Sequence, residues 1–290
     1  MKATTNNTIF VTAATERTQN FLVVMSTARK NDIFVHVLTS DAFPPDYWGM
    51  KMRPLHEYLR VQKAAGKEYV LFFDAYDVIF LAHRDEIITR LNELYDGRVI
   101  FNADYPRSLY PYTRHDYLFA HEPEKAFWLI DHIQNGDTET SRLLNSGLFT
   151  GHIDDVLKLF DAVADVKKRF VQRTLSSPFT DRLYEDISAK KFHIDDQMSF
   201  WMTMIHYPEL IRVDSHKEFL SVAATKFMLD GELENYRKVT RDRPIKDGTC
   251  IGNALVVHSA GGNWRNMGFV WQHQLYEPIS FHNAIRSTEQ

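Results

Sequence analysis

Two aspartates three positions apart, Asp74 and Asp77, stand at the end of an apolar run. Residues 69–73 are continuously apolar, as a central parallel strand should be, and this run leads directly into Asp74. Carboxylates fixed at a strand end suit a hard divalent cation such as Mn²⁺ or Mg²⁺, which can hold a diphosphate. An isolated Asp-x-x-Asp more often caps a turn, because aspartate is common in loops.

A histidine ends another apolar run near the carboxyl terminus. Residues 254–257 are apolar, His258 follows them, and the small residues 259–262 come next. An imidazole at this place could complete a metal site, while small residues would let the backbone approach phosphate groups. A lone histidine is more often an ordinary core or surface residue, so His258 gains meaning only together with the aspartates.

A second carboxylate pair, Asp195 and Asp196, is followed by Gln197 and then by a stretch that we predict to be a helix starting near Met198. Adjacent carboxylates could orient a hydroxyl group, accept its proton or stabilise developing positive charge. A helix N-terminus also attracts aspartates for stability alone, because its dipole favours negative charge.

The elements that must position these residues follow from hydrophobic periodicity. Short apolar runs alternate with amphipathic stretches, which predicts an α/β fold with a mainly parallel central sheet flanked by helices. We predict strands at 8–12, 33–38, 69–73, 98–101 and 254–257, and helices at 17–28, 52–65, 85–94 and from 153 onward. Residues 143–151 are interpreted as a turn entering a strand, and the Pro- and Tyr-rich residues 104–117 as a binding loop.

Composition excludes several classes of protein. A hydrophobic fraction of 44% with 25% charged residues is that of a globular chain, and a net charge of -4 gives no indication of a nucleic-acid or anionic membrane partner. The single cysteine, Cys250, cannot form an intrachain disulfide, so a reducing compartment is favoured. No apolar run approaches the roughly 18 residues of a membrane helix, and no signal peptide is visible, so we expect a cytoplasmic location.

Five motifs in one order resemble the glycosyltransferase domain of the procollagen lysyl hydroxylase (PLOD) family and its viral and microbial relatives. They are residues 10–14, residues 73–80, residues 144–151, Asp195-Asp196-Gln197, and Val257-His258 with Gly261. The resemblance implies one GT-A domain over residues 1–290, with a nucleotide-binding half up to about residue 105 and an acceptor and catalytic half after it. The family's Ser-Ala-Glu run is replaced here by Asn102-Ala103-Asp104.

The resemblance also implies roles for individual residues. Metal ligation is expected from Asp74, Asp77 and His258, and uridine contact from Tyr76, Val11 and Thr12. Phosphate contact is expected from Gly261; the family's lysine for the diphosphate has no match in register, and Arg265, one residue beyond, is the candidate in its place. It further places Asp195 and Asp196 against the donor sugar and the acceptor, with Asn145 and Gly147 shaping the same cavity. The expected cofactor is Mn²⁺, with Mg²⁺ as the alternative.

The expected reaction is transfer of a hexose, glucose or galactose, from a UDP-sugar to a hydroxyl group, with hydroxylysine or galactosyl-hydroxylysine as the acceptor that the resemblance suggests. A hydroxymethylated DNA base or a glycan remains an alternative acceptor, and a non-catalytic nucleotide-sugar binder remains an alternative function. A phosphohydrolase that needs aspartates two positions apart is disfavoured, since Tyr76 occupies the second place. The stereochemistry, the choice between Asp195 and Asp196, and a homodimer formed through residues 269–271 stay open.

Overall fold

The computed structural model describes residues 2–39, 51–103, 144–175, 196–216, 218–222 and 254–258. Nine strands lie in these ranges: β1 (Thr8–Ala14), β2 (Val35–Thr39), β3 (Tyr69–Asp74), β4 (Val78–Phe80), β5 (Val99–Ala103), β6 (Leu144–His152), β7 (Ile211–Asp214), β8 (Leu220–Val222) and β9 (Val256–His258). The helices of the same ranges are α1 (Gln19–Lys30), α2 (Arg53–Ala64), α3 (Arg84–Leu94), α4 (Ile153–Leu175) and α5 (Asp196–His206), with a 3₁₀ turn at Pro208–Leu210.

A six-stranded sheet forms the centre of the fold, in the order β2-β1-β3-β6-β5-β7. β1 runs parallel to β2 and β3, and β5 runs parallel to β7, whereas β6 is antiparallel to both of its neighbours. Helices α2, α4 and α5 contribute to the apolar core on one face of the sheet, and α1 and α3 contribute to the core on the other. The mainly parallel sheet with helices on both faces confirms the predicted α/β class.

Strand β3 lies in the middle of this sheet and is apolar on both faces. Phe72 stacks on Phe149 with ring centroids 5.0 Å apart on one face, and Phe73 meets Phe80 edge to face at 5.0 Å on the other. Burial of each such ring stabilises the fold by roughly 2–3 kcal/mol. This double burial explains the unbroken apolar run, and it makes β3 a rigid support for Asp74, the last residue of the strand.

A second, three-stranded sheet has the order β4-β9-β8. Strand β9 pairs antiparallel with β4, so that Val78 lies opposite His258, and it pairs parallel with β8. Only residues 75–77 separate β3 from β4, so the chain passes from the large sheet to the small one within three residues. Asp74 and Asp77 therefore lie at the junction of the two sheets, beside the strand that carries His258.

Two sequence predictions were wrong in their details. Residues 143–151 were interpreted as a turn entering a strand, yet the strand already begins at Leu144, and β6 is continuous over nine residues. Turn-forming residues are accepted there because the polar groups find partners inside the strand; the Gly147 N–H, for example, donates to Asn145 Oδ1 at 2.9 Å. The helix expected near Met198 begins at Asp196, which lies in its first turn. The predicted binding loop at 104–117 lies outside the described residues.

The other predicted elements are present, with ends that differ by one or two residues from those expected. Across the described ranges, no helix combines the length and apolar character needed to cross a membrane.

Candidate metal and donor site

Asp74, Asp77 and His258 converge at the junction of the two sheets. One potential ligand atom from each lies within 4.8 Å of the other two. His258 Nε2 is 3.7 Å from Asp74 Oδ2 and 3.3 Å from Asp77 Oδ1. The imidazole is only 4% exposed, whereas the side chains of Asp74 and Asp77 are 20% and 14% exposed. The three predicted metal ligands thus form one partly enclosed cluster.

Two polar atoms of this cluster are buried without a hydrogen-bond partner, namely Asp77 Oδ1 and His258 Nε2. They face each other at 3.3 Å, but their geometry does not make a hydrogen bond. A buried polar atom without a partner costs about 1–3 kcal/mol, and such atoms are rare in folded proteins. Two carboxylates and one imidazole are a donor set for a divalent transition metal such as Mn²⁺, so these residues fit a metal ion.

The charge around His258 also favours a cation. Burial lowers the pKa of His258, but the negative charges of Asp77 and Asp74 more than offset this and raise the pKa overall. The same field that favours a proton on the imidazole would favour a divalent cation between the three side chains. Metal binding and protonation of His258 should therefore compete.

Sequence reasoning missed Lys51, which joins the metal cluster to the second carboxylate site. Its Nζ donates to Asp74 Oδ1 at 2.7 Å and to Asp196 Oδ2 at 3.4 Å. Burial lowers the pKa of Lys51, but the charges of Asp74 and Asp196 raise it overall, so the ammonium stays charged. A lysine just before a helix carries no distinctive pattern, because its two carboxylate partners are remote in sequence.

Asp196, one of the two predicted catalytic carboxylates, lies at the start of α5 and is buried. The Lys51 ammonium holds it next to Asp74. Its neighbour Asp195 lies outside the described residues. The structure therefore brings Asp196 to the metal cluster and leaves the choice between the two aspartates open.

Asn145 and Gly147, on β6, line the same site. Asn145 Oδ1 accepts the Gly147 N–H, and its Nδ2 donates to Gln197 Oε1 at 3.1 Å, which ties β6 to α5. Gly147 lies directly against the His258 ring, where an added Cβ would be 2.1 Å from Cε1. Both residues were predicted to shape the donor cavity, and both belong to the polar network around the metal cluster.

Two of the predicted uridine contacts lie within β1, and the third, Tyr76, lies just after β3. Val11 and Thr12 are fully buried on β1, and the Thr12 hydroxyl donates to the Phe73 carbonyl at 2.6 Å. The Tyr76 hydroxyl accepts the N–H groups of Thr15 and Glu16 at 2.9 and 3.0 Å, and so fastens the connection between β1 and α1. The predicted phosphate contacts, Gly261 and Arg265, lie outside the described residues.

Comparisons with known proteins identify a family and a relative. The model of the family described as "PLOD GT domain" matches residues 4–169. A Caenorhabditis elegans protein named "Multifunctional procollagen lysine hydroxylase and glycosyltransferase" is 30% identical over 277 residues, which cover 90% of this chain. The chain spans only 31% of the length of that relative.

Two solved glycosyltransferase structures also align with the chain. Mouse xyloside xylosyltransferase 1 is 11% identical, with coverage of 87% of this chain and 97% of its own and a TM-score of 0.47. A glycosyltransferase involved in glycosylation of the PBCV-1 major capsid is 12% identical, with coverage of 91% and 98% and a TM-score of 0.44. Because both TM-scores are below 0.5, the fold is assigned from the strand order of this chain and not from these two structures. Because the family model covers more than half of the sequence, the chain belongs to the PLOD glycosyltransferase-domain family.

Proposed function

We propose that this chain is a metal-dependent hexosyltransferase that uses a UDP-sugar, with glucose or galactose as the transferred hexose. The observation that carries the proposal is the Asp74, Asp77 and His258 cluster, whose buried donor atoms lack hydrogen-bond partners, with Asp196 held beside it by Lys51. We treat residues 1–290 as one catalytic domain, with the nucleotide side built around β1 and β3.

Asp74, Asp77 and His258 would hold Mn²⁺ or Mg²⁺. When bound, such a cation supplies Lewis-acid stabilisation of the charge on a departing diphosphate. The protein's part is to fix the three ligands at the junction of two sheets. Tyr76 contributes by holding the connection that follows β1, next to where a uridine would lie.

Asp196 is the proposed acceptor-side carboxylate. The Lys51 ammonium lies 3.4 Å from its Oδ2 and holds the carboxylate beside the metal cluster. An ionised Asp196 accepts the proton of the acceptor hydroxyl if the reaction inverts the anomeric centre. If the reaction retains the configuration, the same carboxylate stabilises positive charge on the sugar ring. Asp195 remains the alternative for either role.

The proposed acceptor is a hydroxylysine or galactosyl-hydroxylysine side chain. Support comes from the family assignment and from the name of the relative, which links a lysine hydroxylase with a glycosyltransferase in procollagen. A glycan hydroxyl or a hydroxymethylated DNA base is the alternative acceptor. The net charge of -4 weighs against DNA, because neutralisation of phosphates supplies most non-specific affinity for it.

The test is UDP release by the purified protein from a panel of UDP-hexoses, with Mn²⁺ or with a chelator. This assay needs no acceptor, because a transferase slowly hydrolyses its bound donor. We expect metal-dependent release from one donor, loss of release in Asp77→Ala, and normal release in the control Asp85→Ala, since Asp85 is exposed on α3. Absence of both turnover and metal-dependent donor binding in the wild type would refute the proposal.

The same assay separates an enzyme from a non-catalytic nucleotide-sugar binder. Asp196→Ala should bind UDP with Mn²⁺ as the wild type does, yet release no UDP from the donor. Equal release by Asp196→Ala and the wild type would remove Asp196 from the reaction and direct attention to Asp195.

A further inference from the structure

Strand β6 carries a bulge where it passes the site. Phe101 of β5 lies opposite Phe149 of β6. The next residue, Asn102, lies opposite Asn145, so residues 146–148, the β6 bulge, have no counterpart on β5. Bulges are frequent beside active sites, where they redirect side chains. They also leave backbone groups without partners in the strand ladder, and each such group needs another partner when it is buried.

The side chain of Asn102 joins the two ends of the β6 bulge. It is fully buried, and its Nδ2 donates to the carbonyl oxygen of Asn145 at 2.7 Å and to that of Leu148 at 2.8 Å. The opposite orientation of the amide would set its oxygen against these two carbonyl oxygens, so the neighbours determine the orientation. An amide nitrogen has two N–H groups, and both are used here.

The first end of the β6 bulge is connected to the acceptor-side carboxylate. The Asn145 side chain accepts the Gly147 N–H at 2.9 Å and donates to Gln197 Oε1 at 3.1 Å. Gln197 follows Asp196 in the first turn of α5. The carbonyl group and the side chain of Asn145 thus connect Asn102 with the residue next to Asp196.

The middle of the β6 bulge faces the metal cluster. Gly147 lies so close to His258 that a Cβ on residue 147 would be 2.1 Å from Cε1 of the ring. A small shift of the bulge would therefore change the space that the imidazole occupies. Since no residue of β5 pairs with Gly147, its position depends on how the ends of the bulge are held.

We propose that Asn102 is a positioning residue for the site, which acts by holding the two ends of the β6 bulge together. Through the bulge it keeps Gly147 against His258, and through Asn145 it fixes the first turn of α5. The effect on metal binding rests on the proposed metal-dependent function. The two hydrogen bonds of the amide and the geometry of the bulge do not, so they can be measured separately.

The first experiment detects the two hydrogen bonds of Asn102 in the wild-type protein. It measures NMR scalar couplings across hydrogen bonds, from the side-chain nitrogen of Asn102 to the carbonyl carbons of Asn145 and Leu148. Backbone hydrogen bonds between β3 and β6 supply reference couplings in the same spectrum. We expect a coupling to each of the two carbons. Reference couplings without those of Asn102 would overturn the inference whether or not any variant folds.

The second experiment is an EPR titration of Mn²⁺ into the wild type, Asn102→Leu, Asn102→Ser and the matched control Thr150→Val. Leucine has a similar size but no donor, and serine, which the family has at this position, offers one O–H instead of two N–H groups. Thr150 is also fully buried on β6, and its hydroxyl donates to the Val70 carbonyl at 2.8 Å, outside the bulge.

We expect Asn102→Leu to bind Mn²⁺ about 10–100-fold more weakly than the wild type, Asn102→Ser to fall between the two, and Thr150→Val to bind it normally. Asn102→Leu and Thr150→Val each remove hydrogen bonding to a buried carbonyl group, and both should unfold at lower urea concentration. A general loss of stability therefore cannot explain a difference between them. Equal affinities in all four proteins, or equal losses in Asn102→Leu and Thr150→Val, would overturn the inference.

Hydrogen exchange of the Gly147 amide separates this inference from the proposed function. We expect this N–H, which is bonded to the Asn145 side chain, to exchange faster in Asn102→Leu but not in Thr150→Val; an unchanged rate in Asn102→Leu would refute the inference. If the wild type binds no Mn²⁺, or if His258→Ala binds it equally well, the metal site fails, and the exchange rate still decides the role of Asn102. If His258→Ala loses Mn²⁺ but Asn102→Leu keeps it, the metal site stands and the role of Asn102 is refuted.

Discussion

The two sides of the metal cluster are held in place by different means. Asp74 ends β3 and Asp77 ends the three-residue connection to β4, so chain continuity alone keeps them close. His258 comes from β9 and depends on pairing with β4, on contact with Gly147 of β6 and on the neighbouring amide of Asn102 on β5.

This difference shows where the site is vulnerable. We expect the positions of the two carboxylates to depend little on pairing between strands, because their geometry is local and is supported by the buried strand β3. The histidine side requires β4, β5 and β6 to meet β9 correctly, so a substitution on any of these three supporting strands should weaken metal binding without touching a ligand. The following predictions test the contrast, from the largest expected effect to the smallest.

Gly147→Ala should have the largest effect. The new Cβ would lie 2.1 Å from His258 Cε1, so the ring must leave its place and the cluster loses a ligand. We expect Mn²⁺ affinity to fall on the order of 100-fold, as for a site whose ligand is displaced. Gly151→Ala is the matched control on the same strand, because its Cβ would meet Val99 at an ordinary 3.4 Å. Normal Mn²⁺ binding by Gly147→Ala in a calorimetric titration would contradict the described contact.

Lys51→Met should affect metal binding and turnover in opposite directions. Removal of the ammonium from Asp74 Oδ1 frees that oxygen and removes a repelling charge, so Mn²⁺ affinity should rise about tenfold. Asp196 loses the cation that positions it, so UDP release from the donor should fall on the order of 10–100-fold. Mn²⁺ titration and the UDP-release assay on the same protein measure the two effects.

A fall in both quantities would show that Lys51 mainly supports the fold. Thermal unfolding of Lys51→Met without metal provides the control, since a structural role would lower the melting temperature before any ligand is added.

Asp214→Ala should weaken the small sheet. The Asp214 carboxylate accepts the N–H groups of Glu218, Phe219 and Leu220 at 3.1, 2.8 and 2.7 Å, and so positions β8 beside β9. Loss of these bonds should lower the free energy of unfolding by about 2 kcal/mol. Urea unfolding measures this, and Mn²⁺ affinity should fall modestly because β9 carries His258. An unchanged free energy of unfolding would contradict the capping role.

The same residue predicts a dependence of stability on pH. Burial raises the pKa of Asp214 even though three N–H groups oppose this. The folded-state pKa of Asp214 lies above the unfolded value of about 3.9. The protonated carboxyl therefore contributes its full stabilisation of the folded state at pH values below the unfolded pKa, and this stabilisation is lost as the pH rises through the raised pKa. The stability of the wild type relative to Asp214→Asn should therefore decline over this window. A difference that grows with pH would contradict the sign.

Tyr76→Phe should have the smallest effect on metal binding, although Tyr76 stands between the two carboxylate ligands. Its hydroxyl contacts the backbone of Thr15 and Glu16 and makes no contact with the cluster in the described residues. We expect stability to fall by about 1 kcal/mol, donor KM to rise a few-fold and Mn²⁺ affinity to stay unchanged. A large loss of Mn²⁺ affinity would show that the carboxylate side also depends on contacts outside its own connection.

The order of strands and helices in the first part of the chain could be predicted because hydrophobic burial leaves a local periodic trace. The apolar run before Asp74 indicated a central strand, and Asp74 indeed ends β3. The start of β6 was predicted as a turn, because Asn145, Ser146 and Gly147 are turn formers by local preference. The Asn145 side chain is bonded to Gly147 within β6 and to Gln197 of α5, which overrides that preference, and the contact with α5 is invisible in a sequence window.

By itself, the sequence determined the α/β class, the family and the three candidate metal ligands, since each of these depends on local patterns or on motifs in a fixed order. Only the tertiary structure decided that Lys51 joins Asp74 to Asp196, that Gly147 makes room for His258 and that Asn102 faces His258 Nδ1. Such contacts form between residues far apart in the chain, where no periodicity connects them. They exist only once the sheets and helices have packed together and excluded water from the side chains between them.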